Sequence, residues 1–401
     1  MTEYIYAGSA TLILFIILLV AGKRKKGLPD RIFLTWLVIL LVNVATFIVI
    51  SRFNYPEFLA GRILVEFSEA SVFLHGPVFL FYTLSLTTTS FNIGTRQTLH
   101  LVPFFIYFLI LMVSIGNSTG VSNTIRQVWT IIKMISLLMY TLSVIIQLHK
   151  HRYRVESVFS NAETKYLGWL NFLAWGIISV WIISSLGLLL YNFSGFNIPQ
   201  YGGLAGNLAI CGLIFLIGYY GVKQEPIFNF EGREIDTILP GKIATHLEPG
   251  IGYIESNKEE IEEEVQPAEA IIQPVINDKY KKSGLNKQKS LELFEVLTNL
   301  MLTKKPYQDS ELTLFSLAEQ LQIHPNHLSQ IINQHCQQNF FDYINEQRVN
   351  DVKDALGSNS FDKHSLLGIA YEFGFNSKAS FNRAFKKFTG MTPSEYKKAA
   401  Q

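Results

Sequence analysis

Between residues 5 and 222 the chain alternates long apolar runs with short polar breaks, and the runs have the length of membrane-crossing helices. Seven are legible: Ile5–Gly22, Ile32–Ser51, Ile63–Leu86, Leu99–Gly116, Gln127–Leu148, Leu167–Phe193 and Tyr201–Val222. Each approaches or exceeds the about 20 residues that span a bilayer as a helix. From residue 224 to 284 the pattern lapses into polar and acidic sequence. From 285 onward apolar positions return at the spacing of amphipathic helices, as in Phe294, Leu297 and Met301, with Leu291 expected on the same stripe. The pattern predicts an all-α protein: a seven-transmembrane-helix bundle over 1–223, a flexible linker over 224–284 and a helical domain over 285–401.

Composition agrees with this division. The chain has 401 residues, of which 49% are hydrophobic, and its mean hydropathy is positive. That excludes an ordinary soluble regulator or enzyme. The net charge of +2 conceals a partition: residues 1–223 hold 15 basic and 7 acidic residues (+8), 224–278 hold 3 and 13 (−10), and 279–401 hold 16 and 12 (+4). The acidic stretch, with Lys258-Glu-Glu-Ile-Glu-Glu-Glu264 followed by Pro267 and Pro274, has too few large apolar residues to build a core. A flexible chain of about 60 residues spans on the order of 45 Å, so the last domain is expected to work close to the membrane.

Charge also orients the bundle. One set of loops carries Lys23, Arg24, Lys25, Lys26, Arg31, Arg96, Lys150, Arg152, Arg154 and Lys165; the other carries Arg52, Arg62 and Arg126. The positive-inside rule places the first set in the cytoplasm. The amino terminus is then outside, and seven crossings deliver the last domain to the cytoplasm. The first run lacks a basic leader and is followed by its charge cluster, so it reads as a span and not a cleavable signal.

Within the last domain, Ile369-Ala-Tyr-Glu-Phe-Gly-Phe-Asn-Ser-Lys-Ala-Ser-Phe-Asn-Arg-Ala-Phe-Lys-Lys387 reads as helix, glycine turn, helix. Ala370 is small enough for a close helix crossing, and Gly374 suits a left-handed turn. Phe375, Phe381 and Phe385 fill the angle, and Ser377 is placed to cap the second helix. Lys378, Ala379, Asn382, Arg383 and Lys386 fall on the opposite face, with Lys387 beside them. Earlier, Leu317–Leu321, a turn at Gln322–His324 and a helix over Pro325–Asn333 repeat the pattern, with Asn326, Ser329, Gln330 and Asn333 as candidate contacts.

The stretch Phe341–Tyr396 resembles the DNA-binding domain of the AraC family of bacterial transcription regulators. The resemblance rests on Ile344-Asn-Glu-Gln-Arg-Val349, the Ile-Ala-Tyr-Glu-Phe-Gly-Phe run from 369, Phe385-Lys-Lys-Phe-Thr-Gly390 and Thr392-Pro-Ser-Glu-Tyr396, in the family's order and spacing. It implies two helix-turn-helix units joined by a long helix, and double-stranded promoter DNA as partner. Gln330 stands where the family often has a basic residue, His324 where it often has Ser, Gly368 where a helix former is usual, and Val352 where Ala is preferred. On this reading Arg383 and Asn382 read bases, since Arg pairs bidentately with guanine and Asn with adenine. Lys378, Lys386 and Lys387 position on phosphates. Members often dimerise through other domains, so a homodimer is among the expected partners, although no heptad repeat occurs here. More weakly, His75-Gly-Pro77 and Gly218-Tyr-Tyr-Gly221 with Gln224 resemble the seven-helix membrane portion of AraC-type regulators from Bacteroidetes-like bacteria.

Ionisable residues inside a bilayer are expensive and mark function or buried pairing. Glu66 and Glu69 lie one helical turn apart in the third run, followed by His75, and Lys133 lies in the fifth at a depth similar to Glu69. They are candidate sensing residues for a small or membrane-soluble ligand, or a structural ion pair. Cys211 and Cys336 define neither a disulfide nor a zinc site. There is no phosphate loop, metal-ligand spacing or nucleophile–base pairing, so no cofactor and no enzymatic activity are expected. Two alternatives remain beside a membrane-embedded regulator: a membrane protein whose helical tail recruits a protein partner, and a regulator that is anchored without sensing.

Overall fold

The computed structural model describes residues 2–53, 58–88, 91–115, 122–162, 165–194, 212, 214–220, 285–357 and 364–400. The linker expected over 224–284 lies outside the described residues, as does most of the seventh apolar run, including Cys211. Among the described residues the regular elements are all helices. Contact clustering divides the chain into two compact units: Met1–His151 with Leu167–Gly232, and Arg152–Tyr166 with Arg233–Gln401.

In the first unit, α1 (Thr2–Ala21), α2 (Leu28–Phe53) and α3 (Leu59–Thr87) are followed by a short α4 (Thr95–Thr98), a 3-10 turn (Leu99–Leu101) and α5 (Val102–Ile115). Then come α6 (Asn123–Val158) and α7 (Gly168–Ser194). Five helices are long and apolar enough to cross a membrane, over Tyr4–Ala21, Leu28–Ile50, Leu59–Thr87, Thr95–Val113 and Thr124–Val158, and Gly168–Val180 is a shorter apolar helix. Five of the seven expected runs are thus matched by such helices among the described residues.

The core of this unit is made by α1 to α3 with α6 and α7, through Ile13, Phe33, Leu37, Phe79, Val144 and Leu170. A second cluster joins Phe73 of α3 to Tyr107 and Leu111 of α5. Large apolar side chains also point away from these cores: Leu18 is 70% exposed, Leu109 65% and Met139 63%. A helix apolar on all sides has no aqueous face, which is the pattern of a lipid-facing bundle. Gly76 is required where α3 meets α6, because a Cβ there would lie 2.6 Å from the Tyr140 ring.

In the second unit, α8 (Lys287–Lys304) is capped by Asn286, whose side chain accepts from Lys289 N at 2.7 Å. Leu297 and Met301 are buried, but Leu291 is 45% exposed and the buried position is Ser290. Phe294, Leu297 and Met301 keep the expected stripe, and only Leu291 leaves it. At about 100° per residue, 290, 294, 297 and 301 share a face and 291 turns away.

Helix α9 (Leu314–Gln320), opened by a Thr313–Ser316 capping box, precedes α10 (Pro325–Cys336) and the connecting helix α11 (Phe340–Gly357). Then follow α12 (Leu366–Glu372), α13 (Lys378–Thr389) and α14 (Pro393–Ala400). Two cores form, one under each helix pair. Leu317, Leu328, Ile331 and Ile344 belong to the first, and Val349, Val352, Ile369, Phe381 and Phe385 to the second. Helix α11 supplies both.

Candidate functional site

The α12–α13 turn is fixed from its residues upward. Ser365 caps α12 by accepting from Gly368 N at 3.0 Å, and Ser377 caps α13 by accepting from Ser380 N at 3.0 Å. Gly374 holds φ +91°, and a Cβ there would fall 2.5 Å from the Tyr307 carbonyl oxygen and 2.8 Å from that of Gln308. Both backbone angle and space therefore demand glycine. Ala370 is fully buried at the crossing, and the Phe375 amide donates to its carbonyl at 3.0 Å. Phe375, Phe381 and Phe385 fill the angle, with successive ring centroids 5.3 and 5.6 Å apart. Gly390, at φ +76°, ends α13.

This scaffold leaves Lys378, Ala379, Asn382, Arg383, Lys386 and Lys387 exposed on α13. Five of those side chains carry a charge or an amide, and the cap at Ser377 fixes the rotation of the helix that presents them. Lys387 is drawn to one side by an ion pair with Asp342 of α11, Nζ to Oδ1 2.6 Å.

In the earlier unit the left-handed Gln322, φ 55°, makes the turn. His324 Nδ1 accepts from Asn326 N at 3.2 Å to open α10, with Pro325 in its first turn. Asn326, Ser329 and Asn333 are half-buried, and Asn333 Nδ2 donates to the Ser329 carbonyl at 2.8 Å. Gln330 is only 3% exposed. The structure therefore places it inside and not on a reading face, with the other three at the edge. The reason is packing on several sides: α10 touches α8, α9 and α11, which leaves a narrow open strip.

Arg348, in the middle of α11, joins the two helix pairs. It is 1% exposed, its Nε donates to the Tyr307 carbonyl at 2.6 Å and its Nη2 to the Asp309 carbonyl at 2.8 Å, and its guanidinium lies 5.8 Å from the Phe375 ring centroid. Burial lowers its pKa to about 10, against the opposing pull of Asp309 and Glu311. Nη1 also donates to the Ser160 carbonyl at 3.2 Å and to Asn345 Oδ1 at 3.4 Å, and Nη2 to Ser160 Oγ at 3.1 Å.

The first unit gathers the expected ionisable residues into one cluster. Arg126 Nη2 donates to Glu66 at 3.1 Å and Nη1 to Glu69, Tyr107 donates its hydroxyl to Glu69, and Lys133 Nζ lies 3.5 Å from Glu69. Glu66 is 2% exposed and Lys133 9%. Two carboxylates thus face two cations. His75 is apart from them, its Nδ1 accepting from Trp36 Nε1 at 3.2 Å and its Nε2 lying 2.9 Å from the Asn43 amide nitrogen.

Arg126 and Tyr107 were missed from sequence. Arg126 reads as a loop residue if the fifth run starts at Gln127, but α6 starts at Asn123. The Ser122 hydroxyl before it, which accepts from Ile125 N at 3.4 Å, was the readable cap signal. Arg348 lay unremarked within the quoted Ile344–Val349 motif.

Residues 317–399 match the family model described as a helix-turn-helix domain. The melibiose operon regulatory protein of Escherichia coli (strain K12) is 30% identical over 129 residues, covering 32% of this chain and 41% of that protein. An uncharacterized HTH-type transcriptional regulator of Bacillus subtilis, YtdP, is 32% identical over 89 residues, 22% of this chain and 11% of its own length. This chain therefore spans less than half the length of these relatives.

Among solved structures, a protein of unknown function from Listeria innocua is 32% identical with a TM-score of 0.23, covering 27% of this chain and 95% of that one. The class defined by the helix pairs, the family model and the two regulator relatives is that of helix-turn-helix proteins related to transcriptional regulators. More particularly, the C-terminal region of this chain is a helix-turn-helix domain of the AraC type.

Proposed function

We propose that this protein is a membrane-embedded one-component transcriptional regulator, which binds promoter DNA through residues 285–401 under the control of residues 1–223. The observation that carries the reading is the exposed face of α13. Lys378, Asn382, Arg383 and Lys386 stand on a helix whose cap, turn and aromatic wedge fix its presentation. Arg383 and Asn382 read base edges in the major groove, and Lys378 and Lys386 bind phosphates. In the earlier helix-turn-helix pair Asn326, Ser329 and Asn333 contribute at the edge of the surface.

The five long apolar helices, with Leu18, Leu109 and Met139 turned outward, support a bilayer as the second partner. The charge bias of the loops supports an amino terminus outside and a cytoplasmic DNA-binding domain, which an odd number of crossings such as the seven expected runs would deliver. The acidic stretch 224–284 is the tether.

The Glu66–Glu69–Arg126–Lys133 cluster supports a place where a small or membrane-soluble ligand biases the bundle between two packings. A second reading has its own observation: the charges of this cluster are balanced and mutually bonded, which suits a structural clamp in an anchor that senses nothing.

The test uses the full chain in nanodiscs. Selection from random-sequence duplexes is expected to return a defined motif, and recovery of no motif overturns the reading. Glu69→Gln and Lys133→Met then separate sensor from anchor, because a reporter response that survives both variants removes the cluster from sensing.

A further inference from the structure

The second unit contains a piece of chain that the sequence assigns to the membrane portion. Arg152–Tyr166, the end of α6 with the connection that follows it, belongs to the same compact unit as the AraC-type domain. Its central residues are as deeply buried as a core: Phe159 4% exposed, Ser160 0%, Asn161 6% and Ala162 0%. Phe159 pairs with Thr313, the cap residue of α9, in an isolated antiparallel bridge, and Ser160 N donates to the Leu312 carbonyl at 3.2 Å.

Ser160 also accepts from donors of α11, beside their bonds to Phe341, Asn345 and Asp309. Its carbonyl accepts from Arg348 Nη1 and from Asn345 Nδ2 at 3.4 Å, and its hydroxyl from Arg348 Nη2. A buried guanidinium needs such acceptors, because leaving its donors unmet costs more than the bonds return in water. Residue 160 is therefore built into the joint between the two helix-turn-helix pairs.

The end of α6 beside it reaches the reading helix. Arg152 and Glu156, paired at 2.9 Å, line one cavity with Arg383 and Lys387 of α13. Tyr166 donates to Glu156 at 2.6 Å, and its phenol, held above its ordinary range by burial and by Glu156, also feels the charge of Arg383. Arg152 and Glu156 largely neutralise each other, so their effect on α13 is one of space. This turn of helix thus shares a cavity with Arg383, the side chain proposed above to read bases.

We propose that residues 152–162 are a docking strap, bound to the AraC-type domain through Phe159–Ala162, which opposes DNA binding while docked and through which the α6–α7 pair controls the domain. The proposal rests on the DNA-binding reading above. It assigns the surface formed by Leu312, Thr313, Asn345 and Arg348 to a segment of this same chain.

The test is a disulfide between Phe159→Cys and Thr313→Cys in a Cys211→Ser, Cys336→Ser background, made in the full chain in nanodiscs. Residues opposed in an antiparallel bridge have Cα atoms about 4.5–5.5 Å apart, within disulfide reach. The expected result is a cross-link without DNA. The locked protein should bind a duplex selected by the wild-type chain at least about fivefold more weakly than the same protein after reduction.

Ser160→Pro, which lacks the amide that bonds to Leu312, should bind that duplex more tightly than wild type. Failure to cross-link overturns the docking, and equal affinity of locked and reduced protein overturns its opposition to DNA. If the wild-type chain selects no duplex, the DNA-binding reading falls and the opposition with it. The cross-link still decides on its own whether the strap docks.

Discussion

At the scale of single residues, the reading face of α13 is uneven. Lys378 and Lys386 are exposed, whereas Lys387 is held by an ion pair with Asp342. Lys378→Ala and Lys386→Ala should each reduce the salt slope of DNA affinity by about 1, and Lys387→Ala by less, in titrations at several salt concentrations. Arg383→Ala should cost about 1–3 kcal/mol and relax sequence preference at one position, as read by binding to a panel of single-base variants. Gly374→Ala meets both a φ of +91° and the Tyr307 carbonyl 2.5 Å from its Cβ. It should destabilise the domain by more than about 1 kcal/mol in denaturant unfolding. The glycine, the phenylalanine wedge and the two serine caps were legible because each is a local chemical requirement. Gln330 was not legible, since its burial depends on helices that arrive from elsewhere in the chain.

At the scale of elements, boundaries decide what the sequence conceals. The helix pairs of the second unit follow the expected order, but α9 begins at Leu314 and not Leu317, because the Thr313–Ser316 box starts it earlier. The same kind of shift, α6 beginning at Asn123, brings Arg126 into reach of Glu66.

Helix α14 offers a pH test. Glu395 accepts from Thr392 N at 2.8 Å, and this bond holds its carboxyl below the ordinary 4.5. A lowered folded pKa means stability that is complete above the unfolded value and is lost as pH falls through the folded one. The protection of the amides at the start of α14, corrected for intrinsic exchange, should therefore fall on acidification through that range, and Glu395→Gln should remove this pH dependence of protection. Unchanged protection in the wild type would count against the cap.

At the scale of the whole molecule, the apolar runs and the regulator-like C-terminal region were legible because hydropathy and turn chemistry are written in short windows. The docked segment was not, because Phe159–Ala162 has no periodicity of its own and its partners are far along the chain. Asn345 and Arg348 lie 185 and 188 positions beyond Ser160. That separation has a consequence for biosynthesis. At about 5–20 residues per second, roughly 10–40 s of translation separate the emergence of Ser160 from that of its acceptor surface. The nascent chain thus carries an undocked strap while its later helices are still being made, and closing so long a loop is entropically unfavourable until the AraC-type fold exists. Strap docking is then the final step of maturation, and a nascent chain released before residue 345 would leave the ribosome with that step permanently out of reach.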